Sequence, residues 1–205
     1  MSVIVVANPK GGVGKSTLAT NVAGYLASRG SRVALGDMDR QQSARLWLQL
    51  RPEHLPPIGH WDATSDDTGR PPKGFDHVVI DTAAALQGKQ LDNVLRHADK
   101  VLMPLQPSVF DIHATHEFIG LLLAHRRSAR LDIGVVQMRS REGTIAHEQL
   151  RLFLETVDVP VLGHLRDTQN YVHLAAHGLT LFDVAASRVE RDLAQWQPIT
   201  AWLDA

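Results

Sequence analysis

The chain has no cysteine among its 205 residues, which removes disulfides, iron–sulfur clusters and any Cys-based zinc site. It lacks a charge imbalance as well. Its 21 Lys and Arg stand against 22 Asp and Glu, a formal net charge of -1. No global field draws such a chain to nucleic acid or membrane, so either partner has to be met by a local patch. No long apolar run opens it: VIVVA is far below the length of a membrane span and has neither a basic flank nor a cleavage site, so a cytoplasmic location is expected. Lysine is absent after Lys100, so arginines carry the later positive charge. What remains is the composition of an ordinary globular protein, 44% hydrophobic and 21% charged. At this length one domain over residues 1–205 is expected.

Short β-branched runs alternate with longer amphipathic stretches. Residues 3–7, 32–37, 77–81, 100–105, 133–138 and 160–165 read as strands. They are continuous apolar runs, as strands buried on both faces require. Helices are expected over 16–28, where Leu18, Val22 and Leu26 repeat at four residues, and over 111–124, 144–157 and 189–203. The alternation predicts an α/β fold, a mostly parallel twisted sheet with helices on both faces. Residues 51–74 hold five of the ten prolines and read as a long surface excursion.

The first strand runs into NPKGGVGKST, residues 8–17. Strand, glycine-rich turn and helix start form the context of a phosphate loop. Gly11, Gly12 and Gly14 allow the backbone to wrap with its N–H groups inward, and Val13 and Thr17 complete the cradle. The helix beginning near Ser16 adds its positive end. Lys15 is placed to reach the β- and γ-phosphates of ATP, and the Ser16 hydroxyl to ligate Mg²⁺. One glycine of the usual pattern is missing, because Pro9 stands five residues before Gly14.

The resulting K-G-G-V-G-K-S-T resembles the deviant phosphate loop of the ParA/MinD family of ATPases. The resemblance implies a P-loop fold that binds ATP or ADP with Mg²⁺ and pairs two subunits face to face around nucleotide. It makes Lys10 the residue that reaches the partner subunit's phosphates, as an arginine finger does. The strand end G-D-M-D-R-Q-Q is similar to the family's D-x-D-P-Q segment. That implies Asp39 as the residue orienting the attacking water and Asp37 as support for the metal region, although Arg40 replaces the usual proline and Gly36 an aliphatic residue. F-D-H-V-V-I-D-T ends in Asp81 at the Walker B position, which implies a part in holding Mg²⁺; Ala83 and Ala84 replace the common Pro-Pro. Gln137 falls where relatives carry an Asn touching adenine, and P-L-Q-P-S-V-F-D resembles the family's segment near base or dimer contacts.

The resemblance extends to V-P-V-L-G-H-L-R-D-T-Q-N and the following helix, and the length is that of small ParF-type partition proteins. No helix-turn-helix domain is expected ahead of the first strand. Such proteins dimerise on ATP, bind DNA without sequence preference while on the nucleoid, and release it when a ParB-like or other cargo adaptor stimulates hydrolysis. Arg126, Arg127, Arg130, Arg139 and Arg141 fall within sixteen residues and offer one basic patch for such phosphate contacts. Two alternatives stay open. A MinD-like membrane cycle would use Trp196, Ile199, Trp202 and Leu203, but Pro198 interrupts that helix and Asp204 adds the wrong charge, so docking on the domain is the better reading. A small-molecule ATP-dependent enzyme on the same fold is the other. The eleven histidines include close pairs, His113 with His116 and His173 with His177, without a third metal ligand evident nearby.

Overall fold

The computed structural model describes residues 1–64, 69–141 and 143–205. Its centre is a seven-stranded sheet ordered β3-β2-β4-β1-β5-β6-β7, and the strand pairs are parallel. The strands are β1 Ser2–Val6, β2 Val33–Asp37, β3 Ile58–Trp61, β4 His77–Asp81, β5 Lys100–Leu105, β6 Asp132–Ser140 and β7 Val161–Arg166. The helices are α1 Lys15–Ser28, α2 Ser43–Leu50, α3 Gly88–Leu95, α4 Val109–Ala124, α5 Ile145–Leu154, α6 Gln169–Ala175 and α7 Ala186–Asp204.

Two apolar cores lie on the two faces of the sheet, which is why its inner strands are apolar throughout. Val3, Val5, Val78, Ile80, Val101 and Met103 pack under α3, α4 and α5. Ile4, Val6, Val79, Leu102 and Val136 pack under α1, α2 and α7. Burial on both faces leaves no room for polar alternation. β1 sits mid-sheet between β4 and β5, where the winding direction changes, and the loop that follows it opens at the carboxyl edge where ligands of such sheets bind.

One expectation is corrected. The proline-rich stretch 51–74 is more than an excursion: it contributes edge strand β3, paired to β2 with Gly36 opposite Trp61. Residues 65–68 of that stretch lie outside the described residues. The pairing also explains why glycine stands at 36. A Cβ there would come within 3.0 Å of the Trp61 ring, so the indole takes the space an aliphatic side chain would fill. The sequence reading also missed α2 and α3, each of eight residues.

At the chain's far end, α7 buries Trp196, Ile199 and Leu203 against β7 and α1. Lys100 holds its last turn by donating to the Trp202 carbonyl at 2.7 Å and lying over the indole. The apolar side chains a membrane-binding helix would expose are thus already in the core. Among the described residues, no helix is long and apolar enough to cross a membrane.

A buried ion pair joins the two ends of the second core. Arg51, just past α2, is bidentate to Asp183, with side-chain exposures of 5% and 1%. Asp183 also closes a capping box with Thr180 ahead of α7. Removing one partner strands a buried charge. Asp183→Ala is therefore expected to lower the free energy of unfolding by about 3–5 kcal/mol in a denaturant titration, and a loss below about 1 kcal/mol would show that water reaches the freed guanidinium.

Candidate nucleotide site

The loop between β1 and α1 is tied down from beneath. Asn8, 1% exposed, donates to the Pro104 carbonyl on β5 at 2.8 Å and to the Thr115 hydroxyl on α4. Its carbonyl oxygen accepts from the Lys10 amide at 2.8 Å. One buried amide thus fixes where the glycine run starts. Gly14 precedes the first turn of α1 with φ +99°, a conformation side chains resist, and its Cβ position would lie 3.0 Å from Met138. The alanine loop after β4 is tied to the same turn, since the Ala85 amide donates to the Pro9 carbonyl.

Over this loop lies a cleft of about 750 Å³ lined by Gly11, Gly12, Gly14, Lys15, Ser16 and Thr17, with Asp39, Arg40 and Ala83–Ala85 across from them. Lys15 is 6% exposed and donates to the Lys10 carbonyl at 2.6 Å. Burial lowers its pKa, opposed by the charges of Asp81 and Asp39. The Lys10 side chain is half-buried and does not line this cleft.

The three carboxylates occupy three different situations. Asp81 ends β4, is 1% exposed, and neither oxygen has a hydrogen-bond partner among the described residues. Burial pushes its pKa up to about 7, and Asp37 and Asp39 push the same way. Ser16 and Lys15 oppose them. The Ser16 hydroxyl is close enough to act on the carboxyl, yet outside ordinary hydrogen-bond geometry. A desolvated carboxylate with unused lone pairs, beside the Ser16 hydroxyl that lines the cleft, suits a hard divalent cation.

Asp37 is spent differently. One oxygen accepts from the Asp39 amide, and the other from the amides of Ala44 and Arg45 at the start of α2. The metal support expected of Asp37 is therefore corrected to an indirect one: it caps α2 and adds negative charge near Asp81. Asp39 is half-buried, accepts from the Gln41 amide at 3.0 Å, and presents its carboxyl to the cleft.

A second cavity of about 460 Å³ adjoins the first across Gly14 and Thr17. Its walls include Val13, Gln106 and Met138, with Arg166–Gln169 and Tyr171 from the end of β7 and the start of α6. Gln106 donates to the Gly12 carbonyl at 2.9 Å. Gln137, expected to touch adenine, does not line it. Along β6, 135 and 137 face α5 while 136 and 138 face α1 and α7. Gln137 is fully buried on the α5 side between His147 and His164. Alternation along a strand decides this, and Met138 takes the place expected for Gln137.

The five arginines expected to form one patch are divided. Arg126, Arg127 and Arg130 precede β6, whereas Arg139 and Arg141 lie at its other end, about 25 Å away at the rise of a strand. Arg127 turns partly inward to the Ala98 carbonyl, and Arg141 pairs with Asp167. Arg70 and Arg96, which the sequence reading missed, stand near Arg127: beyond the dominant effect of burial, all three lower the pKa of His97.

The sequence reading also left Asn8 without a role although it opens the glycine run, and gave no site role to Arg166–Thr168. Their position just beyond a parallel strand's carboxyl end was the available signal.

Residues 4–181 match the family model described as the CobQ/CobB/MinD/ParA nucleotide binding domain. The chain belongs to that family. It is 26% identical over 197 residues to the maintenance of carboxysome distribution protein A of Halothiobacillus neapolitanus, covering 89% of this chain and 88% of that one. It is 34% identical over 128 residues to the chromosome-partitioning ATPase Soj of Thermus thermophilus, covering 62% and 40%. A plasmid partition protein of Borrelia burgdorferi bound to AMPPNP shares the fold with a TM-score of 0.73 at 20% identity, over 98% of each chain.

The Asp81 environment has a measurable consequence. Its pKa is raised, so the native state holds a proton that the unfolded state has lost between about pH 4 and pH 7. Stability of the ligand-free protein should fall as pH rises through that window and level off above it. Asp81→Asn should remove this slope and be more stable than the parent at pH 8, by about 2–4 kcal/mol, with the difference vanishing near pH 4. Parallel stability–pH curves for the two proteins would contradict the environment described.

Proposed function

We propose that this chain is a ParA-type ATPase. ATP binding pairs two copies, the pair binds DNA without sequence preference, and a ParB-like or other adaptor on the cargo stimulates hydrolysis and resets the cycle. The observation that carries this reading is the separation of the two lysines in one loop. Lys15 lies in its own cleft beside the carboxylates, while Lys10, five residues earlier, stands outside it. A loop cation that does not enter its own subunit's cleft is suited to phosphates approaching from a second copy.

Within one subunit the parts divide the work. The amides around Gly11, Gly12 and Gly14 receive the phosphates, and Lys15 exchanges the Lys10 carbonyl for phosphate oxygens. Ser16 and Asp81 would hold Mg²⁺, which neutralises charge on the β- and γ-oxygens when bound, with Asp37 supporting the turn above. Asp39 lines the cleft, where it would accept a hydrogen bond from an attacking water and orient it. For DNA, the exposed Arg126 and Arg130 with the nearby Arg70, Arg96 and Arg127 supply backbone contacts without base readout.

Relatives that distribute carboxysomes and partition chromosomes support a cargo of either kind, positioned by the same nucleotide cycle.

Three substitutions separate the steps. Lys15→Ala is expected to abolish ATP binding in a fluorescent-nucleotide titration. Asp39→Ala should bind ATP within about twofold of the parent and lose about 10²-fold or more in turnover, the usual range for a general base. Lys10→Ala should bind ATP yet hydrolyse it no faster with DNA and adaptor than without. A Lys10→Ala protein that responds fully to both would remove the second-copy role.

A further inference from the structure

Arg139 stands in an arrangement that neither the phosphate loop nor the expected basic patch accounts for. The pairing of β6 with β7 slips between Gln137 and Ser140, and inside that slip Arg139 adopts φ +50°. A side chain with a Cβ resists this conformation, and such residues collect where a site dictates the backbone. The other non-glycine residues with positive φ among those described agree with this. Ala85 lines the phosphate cleft, and Gln42 sits between two residues that do.

Three residues line both the phosphate cleft and the adjoining cavity: Gly14, Thr17 and Arg139. Gly14 and Thr17 form the floor of the passage between them, and Arg139 is the charged side chain beside it. Its guanidinium is exposed and has no hydrogen-bond or ion-pair partner among the described residues, whereas nearby Arg141 is held by Asp167 and Arg166 by Asp192. A molecule with its terminal phosphates in the first cavity and a flat ring in the second must pass its phosphate–sugar junction beside Arg139.

We propose that Arg139 is a nucleotide-positioning residue that contacts the α-phosphate and ribose of ATP bound in its own subunit, rather than part of a DNA-binding surface. This rests on the nucleotide reading above and adds a residue to it. A planar fork of N–H donors fits a phosphate oxygen and a neighbouring hydroxyl together. The slip in β6 turns the side chain across the passage, where regular alternation would pass from Met138 on one face to the opposite face at the next residue. The contact touches the portion common to ATP and ADP, so Arg139 sets residence of either nucleotide and leaves the γ-phosphate to Lys15 and Lys10.

The test compares the full-length parent with Arg139→Ala and Arg139→Gly, using fluorescent ATP and ADP analogues and DNA retention at fixed salt. Arg139→Ala should weaken both nucleotides by the same factor, about tenfold, as expected for one charge-assisted contact at an open site. Arg139→Gly should lose the same affinity while melting about 2–4 °C higher without ligand, because glycine accepts the positive φ. Unchanged ATP and ADP affinity in Arg139→Ala with weakened DNA retention overturns the inference and returns Arg139 to the DNA surface. A lower melting point for Arg139→Gly overturns the strained placement. Failure of the parent chain to bind ATP would instead overturn the nucleotide reading beneath it.

Discussion

Asp81 carries a carboxyl group that burial strips of water and to which the described residues return no hydrogen bond. Much of the site is arranged around that debt. Ser16 and Lys15 stand close enough to offset part of it, and Asp37 and Asp39 add to it. A group in this position is costly unless a proton or a cation joins it. The central strands β1, β2 and β4 hold it there: Asp81 pairs with Val6 on one side and with Asp37 on the other, so the two acids and the start of the phosphate loop share one level of the sheet. On the proposed reading a metal-bound phosphate ligand would complete this cluster, supplying the positive charge that the acids lack in the ligand-free state.

The same logic explains how rigid parts meet movable ones. Asn8 anchors the loop to β5 and α4, and Gly14 sets the start of α1. The walls opposite are lighter. Arg40 stands exposed where a proline is usual, and Ala83–Ala85 form a tight turn held to the Pro9 carbonyl. A firm cradle facing loops held by few contacts suits an enzyme whose cleft is completed by something arriving from outside. On the proposed function, what arrives is a second copy bringing Lys10.

The buried apolar runs made six of the seven strands and both helical layers readable from the chain, because a strand covered on both faces has no polar alternation to hide it. The phosphate loop was readable for a different reason: glycines, lysine and hydroxyl in that order have one economical use after a strand. β3 escaped because a four-residue strand among prolines looks like a loop until Gly36 and Trp61 are seen side by side. The Gln137 assignment failed by one residue, and on a strand one residue is the difference between two faces. The arginine patch failed because closeness along the chain is not closeness in space when a nine-residue strand intervenes. Arg139 became informative only through its backbone, which no composition reveals.

We propose that the nucleotide cleft is half of a composite site. Light scattering of the purified chain with Mg²⁺ and a non-hydrolysable ATP analogue, against the same chain with ADP, tests it most directly. A mass of twice 22.6 kDa with the analogue and 22.6 kDa with ADP is the predicted result. A chain that binds the analogue and stays at 22.6 kDa at every concentration tried would contradict it, since Lys10 would then have no second cleft to enter.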